Sequence, residues 1–415
     1  MAGYRPSAVA NKKKMRLGDE LGISDLSPAV RPGVRPLSVA LGIFRLHPRG
    51  GREGLCLQIA SLLEARGHDV RIMVAEETPG LPKGVVRVVH PALVSYKPER
   101  IRMFAYAFRW ATRQGFDRSV AFHAVPADLA LLVDNIFDNG ELSFLTRIGP
   151  RYRAFVGREK ACMGRRSRTR VMGLSEAQME PFISRYRMDR ERVEILPPTV
   201  DPSCRRPRSL SDAQRAVLRA ELGVPGEAPV WLWIGLQPMV KGLDRVLDVL
   251  ARTPAARLLV CGLAADDKRM QPILRQAGEL GVAERMRCLG FVPNESERFH
   301  DVLAAADVLV HPARNDTTGT VILEAVVNGL PAAVSSVCGY GEHVRRSGAG
   351  AVLAGAFDAE AWHAALAAIV PNRAALSAKG LKYGEDPALY SGVARAVELI
   401  EAPLDRPWQA GAEAA

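Results

Sequence analysis

Cysteine is scarce in this 415-residue chain, and the six present (Cys56, Cys162, Cys204, Cys261, Cys288 and Cys338) are scattered with no Cys-x-x-Cys or Cys/His cluster. That excludes a recognisable zinc module and a disulfide scaffold, and leaves buried thiols of a reducing compartment as the simplest reading. Long apolar runs are missing too. Leu37 to Phe44 and Val230 to Leu236 fall well short of the roughly 18 residues that span a bilayer, so no segment is expected to cross a membrane. Basic residues precede Leu37 to Phe44, but Arg45 to Arg52 offers no small-residue cleavage site, so the run reads as a buried strand and not as a signal core. Neither Gly-x-Gly-x-x-Gly nor Gly-x-x-x-x-Gly-Lys-Ser/Thr occurs, which disfavours the standard dinucleotide fingerprint and the P-loop NTPases. There is no Asp-x-Asp, in keeping with a site that needs no metal.

What is present is an ordinary globular composition, 48% hydrophobic, with enough length for two or three domains at ~150 residues each. The net charge of +11 is lopsided: residues 1–200 hold 33 basic against 20 acidic side chains, and the remainder 23 against 25. Such asymmetry points to a polyanion or an anionic membrane surface met by the first half alone.

Residues 1–36 are rich in Pro, Ser and basic side chains and lack apolar periodicity, so they are expected to be a flexible extension. From Leu37 onward, short β-rich runs alternate with helical patterns: strands at Leu37–Phe44, Val70–Ala75, Val85–Val89, Arg118–Phe122 and Val171–Leu174, helices at Gly54–Arg66, Ile101–Arg113 and Ser175–Tyr186. Prolines at 197, 198, 202 and 207 then break the pattern, which places a domain boundary near residue 200. The alternation restarts with strands at Val230–Ile234, Arg257–Cys261, Met286–Leu289, Val308–Val310 and Ala332–Val334, separated by helical stretches. The expected fold is α/β, with two Rossmann-like, doubly wound domains (37–200 and 201–380) facing across a cleft, and ligands held by the loops after the strands.

Three loops carry candidate chemistry. Between the first strand and helix, Gly50-Gly51-Arg52-Glu53 would let the backbone approach a ligand and aim a helix N-terminus at an anion, although a plain tight turn has the same composition. After Val230–Ile234, the loop from Gly235 leads to Lys241 at the start of a helix. A cation there opposes the helix dipole, so the placement suits an anion such as a diphosphate, whereas a solvated surface lysine is the plainer alternative. After Val308–Val310 comes Asp316-Thr317-Thr318-Gly319-Thr320, followed by Glu324 among Val321, Ile322, Leu323, Val326 and Val327. A carboxylate in so apolar a helix needs a partner. A ribose diol would supply two hydrogen bonds; a nearby arginine is the alternative, and Asp316 could simply cap the helix. Finally, Arg147 to Arg170 holds nine positive charges against Glu159 alone, interleaved with Tyr152, Phe155, Val156 and Met163, a mix able to lie on an anionic leaflet. No RNA- or DNA-binding motif accompanies it.

The glycine pair with Glu53, the segment Lys241-Gly242-Leu243-Asp244-Arg245 and the spacing Asp316-x7-Glu324 together resemble the retaining GT-B glycosyltransferases of family 4. Stretches such as Ile195-Leu196-Pro197-Pro198, His311-Pro312-Ala313 and Val337-Cys338-Gly339-Tyr340 are similar to the lipopolysaccharide core heptose glucosyltransferases. The resemblance covers about residues 37 to 403 and is patchier in the first half. It implies a transferase moving a hexose, with UDP-glucose as donor substrate and no cofactor or metal, to a lipopolysaccharide core or related lipid-linked glycan. Residues 381–405 would cross back to the first domain, ahead of a tail at 406–415.

Under that resemblance Glu324 takes the ribose, Asp316 lies by the donor sugar and Lys241 neutralises the diphosphate with the N–H groups of Thr318, Gly319 and Thr320. Gly50, Gly51, Glu53 and Gly235 line the donor, Phe291 and Val292 receive the uracil, and His123 sits near the donor sugar and acceptor. Arg151, Arg153, Arg158, Lys160, Arg165, Arg166 and Arg168 would dock the enzyme on the cytoplasmic face of the inner membrane. Departures are Asp316, one methylene shorter than the usual glutamate, a missing arginine ahead of Lys241, and Phe122-His123-Ala124-Val125-Pro126 in place of Phe-Asn-Lys-Met-Pro. Those departures leave room for another donor or acceptor, for a non-catalytic nucleotide-sugar or membrane-surface binding protein, or for a GT-B-like epimerase.

Overall fold

The computed structural model describes residues 35–46, 51–76, 85–87, 97–113, 115–138 and 142–404. Most of the expected extension 1–36, Gly50 and the tail 406–415 lie outside the described residues. The chain divides into two compact units, Met1–Met172 with Phe182–Glu194 and Val393–Ala415, and Gly173–Pro181 with Ile195–Gly392.

In the first unit the order is β1 (Ser38–Arg45), α1 (Gly51–Ala65), β2 (Asp69–Glu76), β3 (Val85–Arg87), α2 (Lys97–Thr112), β4 (Arg118–Ala121), β5 (Leu129–Leu131), α3 (Phe144–Ile148), α4 (Pro150–Met163), β6 (Arg170–Gly173), α5 (Glu176–Tyr186) and β7 (Val193–Ile195). The strands form one sheet, β3-β2-β1-β4-β5-β6-β7, and the pairings from β3 to β6 are all parallel. Parallel strands covered on both faces must be apolar on both, and β1 is buried from Val39 to Ile43. Gly42 admits α2 to this sheet: a Cβ there would lie 2.6 Å from the Phe108 ring.

The second unit runs α6 (Asp212–Glu221), β8 (Val230–Ile234), α7 (Leu243–Ala251), β9 (Arg257–Cys261), α8 (Gln271–Glu279), β10 (Met286–Gly290), α9 (Glu297–Ala305), β11 (Val308–His311), α10 (Thr320–Val327), β12 (Ala332–Ser335), α11 (Gly341–Ser347), β13 (Gly350–Leu353), α12 (Ala359–Ile369) and α13 (Arg373–Tyr383). Its parallel sheet has the order β10-β9-β8-β11-β12-β13. The strand order reverses between β1 and β4 in one unit and between β8 and β11 in the other. Those reversals are where open α/β sheets leave a crevice at the carboxyl ends of their strands.

The division falls between Glu194 and Ile195, six residues before the expected boundary, and the Leu196 N–H bonds to the C=O of Gly173 (2.9 Å), a residue grouped with the second unit. The return to the first unit begins at Val393 and not at 381. Pro387–Tyr390 is a 3₁₀ turn whose Leu389 packs with Leu323, Val327 and Tyr340 of the second unit. The last helix, α14 (Gly392–Glu401), is held by Arg118, which donates to the carbonyls of Ile400 and Ala402 (both 3.1 Å), and by Glu401, which meets Arg66 (2.8 Å) and His68 (3.0 Å).

At the carboxyl ends of β8, β9 and β10 the chain passes itself backbone against backbone. Gly235 N–H bonds to Cys261 C=O and Gly262 N–H to Gly290 C=O. Gly262 has φ +117°, and a Cβ there would lie 2.1 Å from the Gly235 oxygen. Gly262→Ala is therefore expected to lower stability by about 2–4 kcal/mol, whereas Gly157→Ala, in α4 with open space around it, should raise it by about 0.5–1 kcal/mol. Urea midpoints followed by circular dichroism check both; an unchanged midpoint for Gly262→Ala would refute the close passage.

Candidate functional site

A cluster of charged and polar side chains lies on the loops after β8 and β11. Lys241 stands in the turn two residues before α7, so it precedes the helix instead of opening it. The turn is tied by Leu243 N–H to Pro238 C=O (2.8 Å) and by the Trp233 indole, which donates to the Lys241 carbonyl (3.0 Å). Gly242 caps α7 with φ +74°, and a Cβ there would lie 2.1 Å from the Pro312 oxygen. Only glycine allows the two loops to approach so closely. Arg314 then bolts them together: its guanidinium donates to Met239 C=O (2.6 Å) and to both Asp244 oxygens (2.7 and 2.5 Å), and its N–H bonds to Val240 C=O.

The bolt brings Lys241 and Asp316 together. Lys241 Nζ lies 2.9 Å from Asp316 Oδ1 and donates to the Asn315 carbonyl (3.2 Å), while His311 Nε2 lies 2.8 Å from Asp316 Oδ2. Asp316 is buried. Burial alone would raise its pKa, but the hydrogen bond and charge of His311 and the ammonium of Lys241 outweigh that and hold it below its ordinary value. Asp316 is thus the anion that Lys241's position calls for, and it does not cap α10. The cap is Gly319, at φ +74°, so the first N–H groups of α10 have no capping side chain. The Asp316 backbone is fixed against the strand-like stretch at Cys338, with Gly339 N–H bonded to Asp316 C=O and Tyr340 N–H to Thr318 C=O.

Glu324 lies one turn into α10, buried in the apolar face. Its partner is neither an arginine nor a cap: Asn294 Nδ2 donates to Oε1 at 3.0 Å. Burial is the largest influence and pushes the carboxyl up to about 7, with Asn294 pulling the other way and the charges of Asp201 and Glu295 adding to the rise. Phe291, exposed, and Val292, packed on the core, occupy the loop after β10 that also carries Asn294.

His311, Asp316 and Cys338 each place one possible metal-ligand atom within 4.8 Å of the others. The carboxylate is already shared between the ammonium of Lys241 and the imidazole of His311, and burial raises the Cys338 thiol above its ordinary pKa. All six cysteines are free thiols, five of them buried.

In the first unit, His123 follows β4 and is buried. Its Nε2 accepts from the Phe44 N–H (3.1 Å), which leaves the proton on Nδ1, 3.3 Å from Asp134 Oδ2. Burial and the Arg52 charge push its pKa down to about 4, so the ring is neutral. Arg52, in the first turn of α1, pairs with Asp134. Gly51 opens α1 with nothing near its missing Cβ, and Glu53 lies in the same turn. Asp134, Arg52, His311, Asn294 and Arg314 are the residues that sequence reasoning missed. Arg52 and His311 stand inside motifs already noted, but nothing in the sequence pairs them with their carboxylates.

The basic stretch divides. Arg147 pairs with Asp138 (3.4 Å), and Arg170 donates to the Leu404 carbonyl (2.8 Å). Glu159 turns inward to Tyr186 and the Phe137 N–H. Arg158 is half-buried over the Phe155 ring, 5.1 Å from its centroid, so it does not belong with the surface cations. Arg151, Arg153, Lys160, Arg165, Arg166 and Arg168 are exposed. No described helix is long and apolar enough to cross a membrane.

Comparison with known proteins finds related chains and folds. Residues 214–384, which hold Lys241, Asp316 and Glu324, match the family model described as glycosyl transferases group 1. The chain is 28% identical over 378 residues to the lipopolysaccharide glucosyltransferase WaaG of Escherichia coli, across 88% of this chain and 99% of that protein. The crystal structure of WaaG superposes with a TM-score of 0.78 at 27% identity, covering 87% of this chain and 99% of that one. Two further structures share the fold: sucrose-phosphate synthase of Thermosynechococcus elongatus (TM-score 0.72, 19% identity, 88% and 98% covered) and Anabaena HepE in complex with UDP-glucose (TM-score 0.67, 17% identity, 88% and 98% covered).

The burial of Glu324 has a measurable signature. Its folded pKa of about 7 exceeds the unfolded value, so the folded state binds the extra proton and stability falls as pH rises from about 4.5 to about 7. Glu324→Gln is expected to gain on wild type by on the order of 3 kcal/mol between pH 5 and pH 8. Melting temperatures of both proteins at the two pH values test this, and a pH-independent difference would show that the carboxyl is not perturbed.

Proposed function

We propose that this GT-B glycosyltransferase, a relative of the lipopolysaccharide glucosyltransferase of Escherichia coli, moves a hexose from a uridine diphosphate donor, glucose being the first candidate, to a lipopolysaccharide core or related lipid-linked glycan. The transfer retains the anomeric configuration and needs no metal ion. The observation that carries the reading is the ammonium of Lys241 held 2.9 Å from the buried carboxylate of Asp316, beside the uncapped N-terminus of α10.

Departure of the diphosphate develops negative charge at its bridging oxygen. Lys241 and the N–H groups of Thr318, Gly319 and Thr320 are the preorganised donors for that charge. The C–O bond to the diphosphate breaks as the acceptor oxygen bonds to the same face of the sugar, and the leaving oxygen takes the acceptor's proton. Glu324 accepts from the ribose hydroxyls, with Asn294 orienting it. The donor sugar is assigned to Asp316, the uracil to the loop at Phe291 and Val292, and further donor contacts to Gly235, Gly50, Gly51 and Glu53. His123, neutral and fixed in one tautomer, is assigned to hydrogen bonding near the donor sugar and acceptor. The exposed cations of 151–168, close in sequence to the exposed Leu145 and Ile148, are assigned to an anionic leaflet on the cytoplasmic side, where each contributes about 1 kcal/mol.

Calorimetric titration of UDP, with GDP and ADP as controls and EDTA present, tests the site. Selective UDP binding is expected, weakened at least tenfold by Lys241→Ala, and turnover should fall at least tenfold in both Lys241→Ala and Glu324→Gln. Binding indifferent to Lys241 would overturn the assignment. Because a ribose diol donates to the ionised carboxylate, UDP affinity should rise about tenfold from pH 6 to pH 8. That slope should be absent in Glu324→Gln, whose own profile reports the titration of the nucleotide.

A further inference from the structure

The exposed cations after α4 do not lie on a flat surface. They wall a groove of about 1050 Å³ contained wholly within the first unit. Its lining includes Arg113 from the turn after α2, Lys160 from the end of α4, Arg165, Arg166 and Arg168 from the loop that follows, and Arg187 from the turn after α5. Three separate segments of the chain therefore aim long cationic side chains at one concavity. None of these six makes an ion pair with a described carboxylate.

The two acids in the lining are committed elsewhere. Asp117 is held by the Ser38 N–H (2.8 Å) and Arg35 (2.7 Å), and Asp128 accepts from Ser119 N–H and Oγ (2.8 and 2.7 Å). Both fasten the starts of strands, and neither is ion-paired to any of the six cations, which outnumber them in the lining. Arg187 adds a second peculiarity. It adopts φ +50°, the only described non-glycine residue at positive φ, in the position after a helix where glycine is the unstrained choice. A long cation is kept there at the expense of backbone comfort.

The location separates this groove from the donor site. Asp117, Asp128 and Thr169 immediately precede β4, β5 and β6, so the groove lies at the amino ends of these parallel strands. His123 and the glycine loop follow β4 and β1, at the opposite edge of the same sheet.

We infer that this groove is a second anion site, which takes a compact cluster of phosphate groups. Guanidinium forks match phosphate oxygens in pairs, and a concavity walled from several sides favours several charges on one small ligand over the single, spaced charges of a flat leaflet. Stacking surfaces for nucleobases are sparse, with Phe116 and Tyr186 the aromatic residues in the lining. The ligand is either a free oligophosphate or a headgroup carrying clustered phosphates. The inference does not depend on the donor assignment, and it sharpens the surface role given above to Lys160, Arg165, Arg166 and Arg168.

The test titrates tripolyphosphate into the full chain, into Arg166→Glu/Arg168→Glu, into Lys241→Ala, and into Arg345→Glu/Arg346→Glu as a charge-matched control on α11. Binding is expected in wild type, Lys241→Ala and the control, and at least tenfold weaker binding in the groove variant. A parallel arm compares flotation with vesicles containing phosphatidylglycerol or phosphatidylinositol bisphosphate at equal total charge. A wild-type preference for the clustered phosphates, lost in the groove variant, assigns the site to a headgroup even where tripolyphosphate binds weakly. If neither the tripolyphosphate affinity nor the vesicle preference differs between wild type and groove variant, or if the control loses as much, the inference fails. Loss in Lys241→Ala alone would place the bound phosphate in the donor site and overturn it as well.

Discussion

A carboxylate buried at the carboxyl end of a parallel sheet is tolerable only if its charge is met on every side, and Asp316 is met by Lys241 and His311. That requirement organises the second unit. Lys241 can reach Asp316 because the loops after β8 and β11 touch, the loops touch because residue 242 has no side chain to collide with Pro312, and Arg314 locks the contact through Asp244. The same carboxylate holds the ammonium of the lysine in place. On the proposed reading, a diphosphate arriving beside α10 would find a donor already in position and would have only to share it.

Three ionisable groups at the strand ends are set apart by their surroundings. Asp316, flanked by Lys241 and His311, is held below its ordinary pKa and stays ionised. Glu324, whose hydrogen-bond partner among the described residues is the amide of Asn294, is pushed up to about 7 by burial. His123, buried beside Arg52 and locked by a backbone N–H, is neutral. Desolvation acts on all three, and their differences come from the number and sign of near neighbours. The chain thereby holds a fixed charge, a group that titrates near neutral pH and a neutral polar group.

Most of this architecture was legible where strands are long and strongly apolar. Val230–Ile234 and Arg257–Cys261 begin and end where their patterns do, because both faces are covered and the run has no polar interruption. β5, β7 and β13 escaped notice because three or four residues carry no usable period. β5 lies between two loops of mixed composition, and Gly350 opens β13. The site was legible residue by residue for Lys241, Asp316 and Glu324, each of which violates a local rule: a cation before a helix, or an acid where apolar residues belong. Their partners violate nothing. Asn294, Arg314 and Asp134 are ordinary polar residues in loops, and only the approach of segments distant in sequence gives them a role.

The aspartate at 316 gains a physical meaning from its tether. One more methylene would carry the carboxylate about 1.5 Å further, and it could not then remain 2.8 Å from His311 and 2.9 Å from Lys241 without moving one of two loops fastened by Arg314. Gly319 presses from the other side, since even a Cβ there would come within 3.3 Å of Asp316 Oδ2. The shorter side chain is therefore matched to surroundings that are already closed around it. A glutamate would need a more open loop. Replacing Asp316 by the longer acid consequently alters two things together, the reach of the carboxylate and the position of the ammonium, and the second depends on the backbone contacts at Gly242 as much as on residue 316.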